Sequence, residues 1–420
     1  MESSFFKKCA KHIKKKKLRD TLIDLVDIPS PTSGEKPLAE YLVNRMKSSG
    51  TRTTLQEVSL DRPNAIGTIS GDGTGPNLMF TGHMDTSYDG NEDYLVGKGF
   101  KPKGVYENGW IWGLGANNMK GGLASALVAF EAIQKEKIPL KGDLIFAGVV
   151  GEIEKAAIEE FRGEEMAGYG TGSRHLVLHG VTADYAILAE PTGLRISNAN
   201  LGVIWAKIST FGTVSHSAMA HRPGIKNAIR SIHKVQAAIE KWIPKFVKSR
   251  EFMGEKPSVN ISSIRGGWPW RLSRNPVEAS LYLDIRILPG QKIEDIRREI
   301  RKVLSKLSKK TGEDEASLDF YVTDPATYVA PEEEIVQNLN SSHNEITKSL
   351  PDFIARRPGA DATHFNHYGI PCICYGPGFR VHPEVEKKGQ YMHDAGEHIH
   401  EDDLEIASRV FLNLALKICT

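Results

Sequence analysis

The feature that most constrains the fold of this sequence is a set of short, unbroken apolar segments that end in polar residues. Leu144–Val150 is apolar throughout, which is typical of a strand that is buried on both faces of a parallel sheet. Comparable apolar strands are predicted at Asn77–Thr81, Tyr185–Ala189 and Ile373–Tyr375, and helical periodicity is found at Leu18–Val26, Pro37–Met46 and Met119–Lys135. Strands that alternate with helices predict an α/β fold, with a mostly parallel sheet and helices on both faces.

The pattern changes between residues 199 and 325. This region contains alternating strand patterns at Val203–Thr210, Val259–Ile264, Glu278–Ile285 and Phe320–Val322, and helical patterns at Asn227–Trp242 and Lys292–Lys306. Because 420 residues exceed what one ordinary core supports, we predict two domains. A larger domain of residues 1–198 and 326–420 carries an inserted α+β sandwich of residues 199–325.

Composition excludes several classes of partner. The formal net charge is only +2, which predicts no nucleic-acid partner. No stretch approaches the roughly 18 apolar residues that a membrane span needs, and the start of the chain lacks the apolar core of a secretion signal. Four cysteines in this length do not make a disulfide framework, and Cys372 and Cys374 are interpreted as core residues of one strand. We expect a cytoplasmic protein with a small-molecule substrate.

Metal-capable side chains follow three of the predicted strands. His83, Glu152 and Glu190 stand at or just beyond strand ends, and His393 lies near the C-terminus. Ligands of open α/β sheets bind at the carboxyl ends of the strands. A lone histidine is more often a structural group than a ligand, but four candidates at comparable positions favour a metal site.

Asp85 follows His83 by two residues. A metal-bound imidazole usually donates its second N–H to a carboxylate, which fixes the tautomer of the ring and raises its basicity as a ligand. Asp85 is therefore predicted to support His83. A capped turn after the strand explains the same residues equally well.

Several segments resemble, in chain order, the motifs of the M20 family of metallopeptidases, which includes aminoacylase-like, acetylornithine-deacetylase-like and succinyl-diaminopimelate-desuccinylase-like enzymes. The segments are Thr81–Thr86, Trp112–Gly122, Ala189–Thr192, Gly212–Asn227, Asp284–Gly290, Gly359–Ala362 and Gly369–Gly378. The resemblance implies a zinc-peptidase-like catalytic domain whose inserted domain acts as lid and dimerisation domain, so a homodimer is expected.

The resemblance also implies a metal site, from which this chain departs at two positions. Family members typically bind two metals, often zinc, with a bridging aspartate and two consecutive glutamates. Asn118 stands at the bridging position, and Ile153 follows the presumed base Glu152; Glu154 is a possible substitute ligand. We therefore predict one divalent metal per chain, zinc or manganese, held by His83, Glu190, the Asn118 oxygen and water. The alternative is two metals per chain, with Glu154 and Asn118 as ligands of the second metal. His393 is left open between metal ligand, substrate contact and proton donor.

The remaining site residues are assigned by the same resemblance. Glu152 is expected to act as general base toward water whose pKa a bound metal lowers to about 7, and His216 to stabilise the oxyanion. Candidate substrate contacts are Arg286, Asn260, Gly376 and Gly378. A salt bridge within the inserted domain and a turn cap explain Arg286 and Asn260 at least as well.

The leading hypothesis is a metal-dependent hydrolase that acts on an amide or related C–N bond in a small, carboxylate-bearing substrate. One alternative is an aminohydrolase that removes an amine directly from a ring or amidine carbon. Another is a metal-binding pseudoenzyme. The presence of His83, Glu152, Glu190 and His216 together argues against loss of catalysis, because a decayed site has no physical reason to keep its base.

Overall fold

The structure is a computed structural model, and it describes residues 4–248, 250–390 and 395–420. The chain divides into a large unit of Met1–Asn198, Val329–Ile354 and Ala360–Thr420, and a small unit of Ala199–Tyr328 and Ala355–Gly359. The predicted insertion ends at residue 325, whereas the small unit continues to Tyr328 and includes Ala355–Gly359.

The strands, in chain order, alternate with helices over most of the chain. The strands are β1 (Arg52–Ser59), β2 (Arg62–Ile69), β3 (Leu78–His83), β4 (Val105–Glu107), β5 (Trp110–Trp112), β6 (Leu144–Val149), β7 (Tyr185–Leu188), β8 (Ile196–Asn200), β9 (Gly202–Phe211), β10 (Ser258–Gly266), β11 (Glu278–Ile287), β12 (Ser317–Asp324), β13 (Thr327–Tyr328), β14 (Phe353–Arg356), β15 (Cys372–Cys374) and β16 (His398–His400). The helices are α1 (Ser4–Ala10), α2 (Lys15–Val26), α3 (Lys36–Ser48), α4 (Gly121–Lys135), α5 (Thr171–Leu178), α6 (Ala228–Lys248), α7 (Ile293–Thr311), α8 (Glu334–Thr347), α9 (Ala362–His367), α10 (Pro383–Lys387) and α11 (Glu401–Cys419).

The large unit is organised by a sheet whose strand order is β1-β2-β6-β3-β7-β15-β8. Pairing is parallel among the four central strands β6, β3, β7 and β15, and antiparallel where β1, β2 and β8 join them. The α/β fold with a large, mostly parallel sheet is confirmed, and its parallel part is the centre. Since parallel strands end at the same edge, the residues that follow β3, β6 and β7 are brought together.

The core of the large unit lies where helices cover these central strands. Every residue of β3 and β6 is buried, as their continuous apolar runs predict. Phe130 of α4 packs on Phe146 of β6 with ring centroids 6.0 Å apart, and Phe411 of α11 packs on Phe80 of β3 at 5.3 Å. All four cysteines are buried free thiols, so Cys372 and Cys374 are core residues of β15 as predicted.

The small unit contains an antiparallel sheet of order β10-β11-β9-β12 and the two long helices α6 and α7. Its helices bury residues spaced three or four apart, which is the spacing of a single apolar helix face. These residues are Ala228, Ile232, Val235, Ile239, Trp242 and Phe246 in α6, and Ile296, Ile300 and Leu304 in α7. The predicted inserted α+β layer is confirmed. Within residues 4–248, 250–390 and 395–420, no helix is long and apolar enough to span a membrane.

Candidate metal centre

Three strand ends of the large unit converge on one buried point. His83 is the last residue of β3, and Glu152 and Glu190 follow β6 and β7, the two neighbours of β3 in the sheet. His83 Nε2 lies 3.6 Å from Glu152 Oε2 and 3.7 Å from Glu190 Oε1. All three side chains are buried, and one ligand atom from each lies within 4.8 Å of the others. Among the described residues, this is the only group of three or more His, Cys, Asp or Glu side chains with such geometry.

Asn118 adds a fourth donor atom, an amide oxygen, to the cluster. Its Oδ1 lies 3.3 Å from His83 Nε2, nearer than either carboxylate. The loop that carries it is held by Glu397, a half-buried residue whose carboxylate accepts hydrogen bonds from the backbone N–H groups of Gly115, Asn117 and Asn118 at 2.8–3.0 Å. Glu397 therefore anchors the backbone that leads into Asn118.

The turn that carries Glu152 is held by two other buried carboxylates. Glu35 Oε1 accepts the backbone N–H of Gly151 at 3.1 Å, and the two oxygens of Asp85 accept those of Glu152 and Ile153 at 3.0 and 3.1 Å. Glu35 is in turn held by Arg62, which donates from Nη2 and Nε at 2.7 and 3.1 Å. Three consecutive N–H groups after β6 thus have charged acceptors, which are among the stronger hydrogen bonds in proteins.

Asp85 also supports His83, mainly through its backbone. His83 Nδ1 lies 2.9 Å from the Asp85 carbonyl oxygen and 3.5 Å from Asp85 Oδ1. A ring whose Nδ1–H donates to a carbonyl presents Nε2 to the cluster in the form that binds metals. The carboxylate of Asp85 is used chiefly for the Glu152 turn and for Thr32, whose Oγ1 donates to it at 3.1 Å.

The electrostatics of the cluster favour a positive charge at its centre. Burial by itself lowers the pKa of His83, but the carboxylates of Glu152, Asp85 and Glu190 raise it well above its usual value. Burial raises the pKa of Asp361 to about 7, and its neighbours include His83, Asp85 and Glu190. Ser173 Oγ donates to Asp361 at 2.6 Å. Several acidic groups surround one imidazole, which is the charge distribution expected of a cation site.

The donor set fits a divalent cation. An imidazole nitrogen, carboxylate oxygens and an amide oxygen are ligands that zinc and manganese both accept. Ligand atoms that each lie about 2.0–2.2 Å from a tetrahedral ion are separated from one another by about 3.4 Å. The separations of 3.3, 3.6 and 3.7 Å around His83 Nε2 agree with that spacing.

Gly376 and Gly378, predicted to contact substrate, lie against protein atoms. A Cβ at Gly376 would stand 2.5 Å from the Glu190 carbonyl oxygen, and one at Gly378 would stand 2.4 Å from Asn117 Oδ1. Both contacts are too short for any larger residue, so the glycines let the 376–378 segment approach the loops of Glu190 and Asn118. This explains the glycines without substrate, and their contact with substrate stays a prediction.

The remaining predicted site residues are Glu154, three residues of the small unit, and His393. Glu154 is half-buried and does not belong to the described group of metal-capable side chains. His216, Asn260 and Arg286 belong to the small unit. His216 is exposed and its Nδ1 accepts the Ala218 N–H, Asn260 donates to Ser262, and Arg286 donates twice to Asp284 at 2.7 Å. His393 lies outside the described residues.

Sequence reasoning missed the groups that position the cluster: Glu35, Arg62, Asp361 and Glu397. Each is a single acidic or basic residue in a polar stretch, and nothing local distinguishes it from a solvated surface residue. The one available signal was Gly359–Ala362, which matched a motif but received no assigned role. Arg62 and Asp361 are both about 1% exposed, a burial that charged residues rarely have unless they are paired or functional.

The chain is similar to known proteins over most of its length. Residues 79–417 match the family described as Peptidase family M20/M25/M40. The N-formyl-4-amino-5-aminomethyl-2-methylpyrimidine deformylase of Bacillus subtilis is 25% identical over 386 residues, covering 86% of each chain. A tripeptidase from Staphylococcus aureus superposes with a TM-score of 0.73 at 19% identity, over 97% of this chain and 99% of that one.

A dinuclear metal-binding peptidase of the same family from Bacillus subtilis superposes with a TM-score of 0.66 at 14% identity, over 96% of this chain and 98% of that one. The two superpositions confirm the fold, and the family match extends through all three strand-end ligand candidates. The chain therefore belongs to peptidase family M20/M25/M40 and is a metallohydrolase of amide-type C–N bonds.

Proposed function

We propose that this protein hydrolyses an N-acyl bond, of the formamide or short-chain amide type, in a small substrate, with one divalent cation per chain. The observation that carries the proposal is the convergence of the buried side chains of His83, Glu152 and Glu190, whose ligand atoms lie within 4.8 Å of one another. The relatives named as deformylases support a small acyl group, since a formyl group is the smallest that an amide can carry.

His83, Glu190 and the Asn118 oxygen would hold the cation, which is zinc or manganese. Asn118 Oδ1 is closer to His83 Nε2 than Glu152 is, so the amide oxygen can complete the ligand set and leave Glu152 for proton transfer. The side chain after Glu152 is Ile153, which offers no ligand atom for a second cation. A bridging carboxylate at position 118 would offset part of the positive charge of two cations, and the neutral amide of Asn118 does not. This difference favours a single ion.

The cation supplies Lewis acidity, which makes water nucleophilic near neutral pH and polarises the scissile carbonyl. Glu152 takes the proton from the attacking water oxygen and passes it to the nitrogen as the C–N bond breaks, so the products are a carboxylate and an amine. The hydrogen bonds to Gly151, Glu152 and Ile153 hold the base in place before substrate arrives. His216 is proposed to stabilise the oxyanion, as the family resemblance implies.

Metal titration coupled to a hydrolysis panel tests the proposal. Metal-stripped protein is titrated with Mn²⁺ and Zn²⁺ while stoichiometry is measured by calorimetry, and the loaded protein is assayed on N-formyl and N-acetyl amines and amino acids. One ion per chain with turnover supports it. Two ions per chain would overturn the mononuclear site, and tight binding without turnover on any amide would favour the pseudoenzyme.

Two further assignments are proposed alongside the reaction. A homodimer formed through the small unit follows from the family resemblance, and light scattering should give a mass of twice the 46.4 kDa chain. A monomeric mass would contradict the dimer that the family resemblance implies. A cytoplasmic location is supported by four cysteines that are all free thiols, because disulfides are rare in that compartment.

A further inference from the structure

A second concave site lies in the large unit, on the chain segments that continue from two loops of the metal centre. It is a cavity of about 300 Å³, lined by residues 193–195, residues 378–380 and Asp403. Two of the lining residues are Arg195 and Arg380, and the single acidic residue is Asp403. With both guanidinium groups charged and Asp403 ionised, the lining carries one net positive charge.

Arg195 is oriented but not neutralised. Its Nε donates to the Thr192 carbonyl oxygen at 2.9 Å, and Thr192 Oγ1 donates back to the Arg195 carbonyl at 2.7 Å. Over the described part of the chain, Arg195 forms no ion pair. A half-buried guanidinium has five N–H donors, so the remaining four at its terminal nitrogens are available for an anion.

Arg380 is held at the same cavity by an ion pair. Its Nη2 donates to Asp403 Oδ1, and Asp403 lies in the first turn of α11, where it is almost completely buried. The pair orients one edge of the guanidinium. Nearly half of the Arg380 side chain is still exposed, at 46%, which leaves the other edge able to bind.

The chain connectivity places this cavity within reach of the metal centre. Gly193 is three residues beyond Glu190, and three residues span at most about 11 Å. On the opposite wall, Gly378 would place a Cβ 2.4 Å from Asn117 Oδ1, and Phe379 N donates to that same oxygen at 3.0 Å. Asn117 directly precedes Asn118, so both walls adjoin residues that are proposed to hold the cation.

We propose that this cavity is an anion subsite in which Arg195 and Arg380 bind a carboxylate of the substrate. This carboxylate lies at the end of the substrate that is remote from the scissile bond. The inference rests on the proposed function and assigns Arg195 and Arg380 as the residues that select short N-acyl amino acids over uncharged N-acyl amines. A planar guanidinium fork matches the two oxygens of a carboxylate. An uncharged substrate would leave Arg195 without a counter-charge when it fills the cavity.

Matched pairs of substrates test the subsite. N-formyl-glycine, N-formyl-β-alanine and N-formyl-4-aminobutyrate are each compared with the corresponding primary amide, which has nearly the same shape without the charge. For the wild type, one of the three N-formyl acids should have a KM about 10- to 100-fold below that of the corresponding amide, with similar kcat. Arg195→Gln should raise KM for that carboxylate to the value of the amide, and Arg195→Lys should restore part of the difference.

Controls separate the subsite from folding and from turnover. Arg301→Gln, which replaces an exposed arginine of α7, should leave KM for both substrates of each pair unchanged. Arg380 is tested in the double variant R380Q/D403N, which avoids leaving Asp403 unpaired. The same pairs are titrated by calorimetry into metal-loaded Glu152→Gln protein, alone and combined with Arg195→Gln, so that binding is scored without turnover. Equal affinity for acid and amide, or a preference that survives Arg195→Gln, overturns the subsite. Failure to hydrolyse any compound overturns the proposed function, while the calorimetry still decides the subsite.

Discussion

At the scale of single residues, the metal centre is explained by what surrounds each donor. Glu152 and Glu190 stand at nearly equal distances from His83 Nε2, at 3.6 and 3.7 Å, so distance alone does not separate base from ligand. Their settings differ, because the backbone of Glu152 is held by Asp85 and its turn by Glu35. A base must keep its orientation while it moves a proton, and preorganised contacts of this kind serve that purpose.

Glu152→Gln is expected to lower kcat by about 10²- to 10⁴-fold. The amide keeps the shape of the side chain but cannot take a proton from water. Affinity for the cation, measured by calorimetry, should change much less than kcat. Glu154→Gln, two residues away and outside the cluster, is the matched control and should keep activity. A Glu152→Gln protein with full activity would remove the assigned base, and one that no longer binds metal would make Glu152 a ligand.

At the scale of elements, buried ion pairs fix the loops that carry the site. The Arg62 guanidinium lies on β2, is 1% exposed, and bonds Glu35 at the start of α3. It also donates to the carbonyl oxygens of Glu164 and Ala167, and these two hydrogen bonds hold the long loop that follows Glu152. One side chain therefore joins a strand, a helix and the loop that follows the base.

Arg62→Leu is expected to lower the free energy of unfolding by about 3–5 kcal/mol, because removing one partner leaves the charge of Glu35 buried without compensation. Urea unfolding followed by circular dichroism measures the change. Arg52→Leu, an exposed arginine on the neighbouring strand β1, should alter stability by less than about 0.5 kcal/mol. The ion pair would have no such role if the two variants were equally stable.

The buried carboxyl group of Asp403, in the first turn of α11, should make the free energy of unfolding depend on pH. Burial raises its pKa from 3.8 to about 6 despite the ion pair with Arg380. The folded state therefore binds more protons than the unfolded state between about pH 4 and pH 6, so this residue's contribution to stability falls as pH rises through that window.

The stability of wild type relative to Asp403→Asn should decrease from pH 4 to pH 6 and stay constant above about pH 7. Denaturant unfolding of both proteins over this pH series gives the difference directly, since the variant lacks the titrating group and all others are shared. A difference that does not change with pH would contradict the raised pKa.

At the scale of the whole molecule, the cation site ties together segments that are distant in the chain. His83, Asn118 and Glu190 belong to different loops of the large unit, and Glu397 holds one of these loops from near the C-terminus. A ligand that binds only the folded state stabilises it by mass action. Metal binding should therefore act on the global stability of the large unit and not on one loop alone.

Addition of Zn²⁺ or Mn²⁺ at about 100 times its Kd should stabilise the metal-stripped protein by about 2.7 kcal/mol, and chelation should reverse the effect. Thermal unfolding with and without metal provides the measurement. His83→Ala should abolish most of the increase in Tm, whereas His233→Ala, an exposed histidine on α6, should keep it. Equal stabilisation of the two variants would place the bound ion elsewhere.

The sequence by itself determined the α/β class, the inserted layer and the three strand-end donors, because the signals for these are local. A strand buried on both faces is apolar along its whole length, and the first polar residue after it marks the carboxyl edge of the sheet. The antiparallel strands β1 and β2 escaped prediction, because β2 buries Arg62 and Asn64 and lacks a regular apolar pattern.

Only the tertiary structure decided which charged residues act together. Glu35, Asp361 and Glu397 reach the metal centre from segments far apart in the chain, and Arg195 and Arg380 meet at one cavity across nearly 200 residues. The sequence shows which side chains are charged, but their burial and their partners depend on packing between distant segments. For this reason the three candidate donors at strand ends could be named from local pattern, whereas the groups that orient them could not.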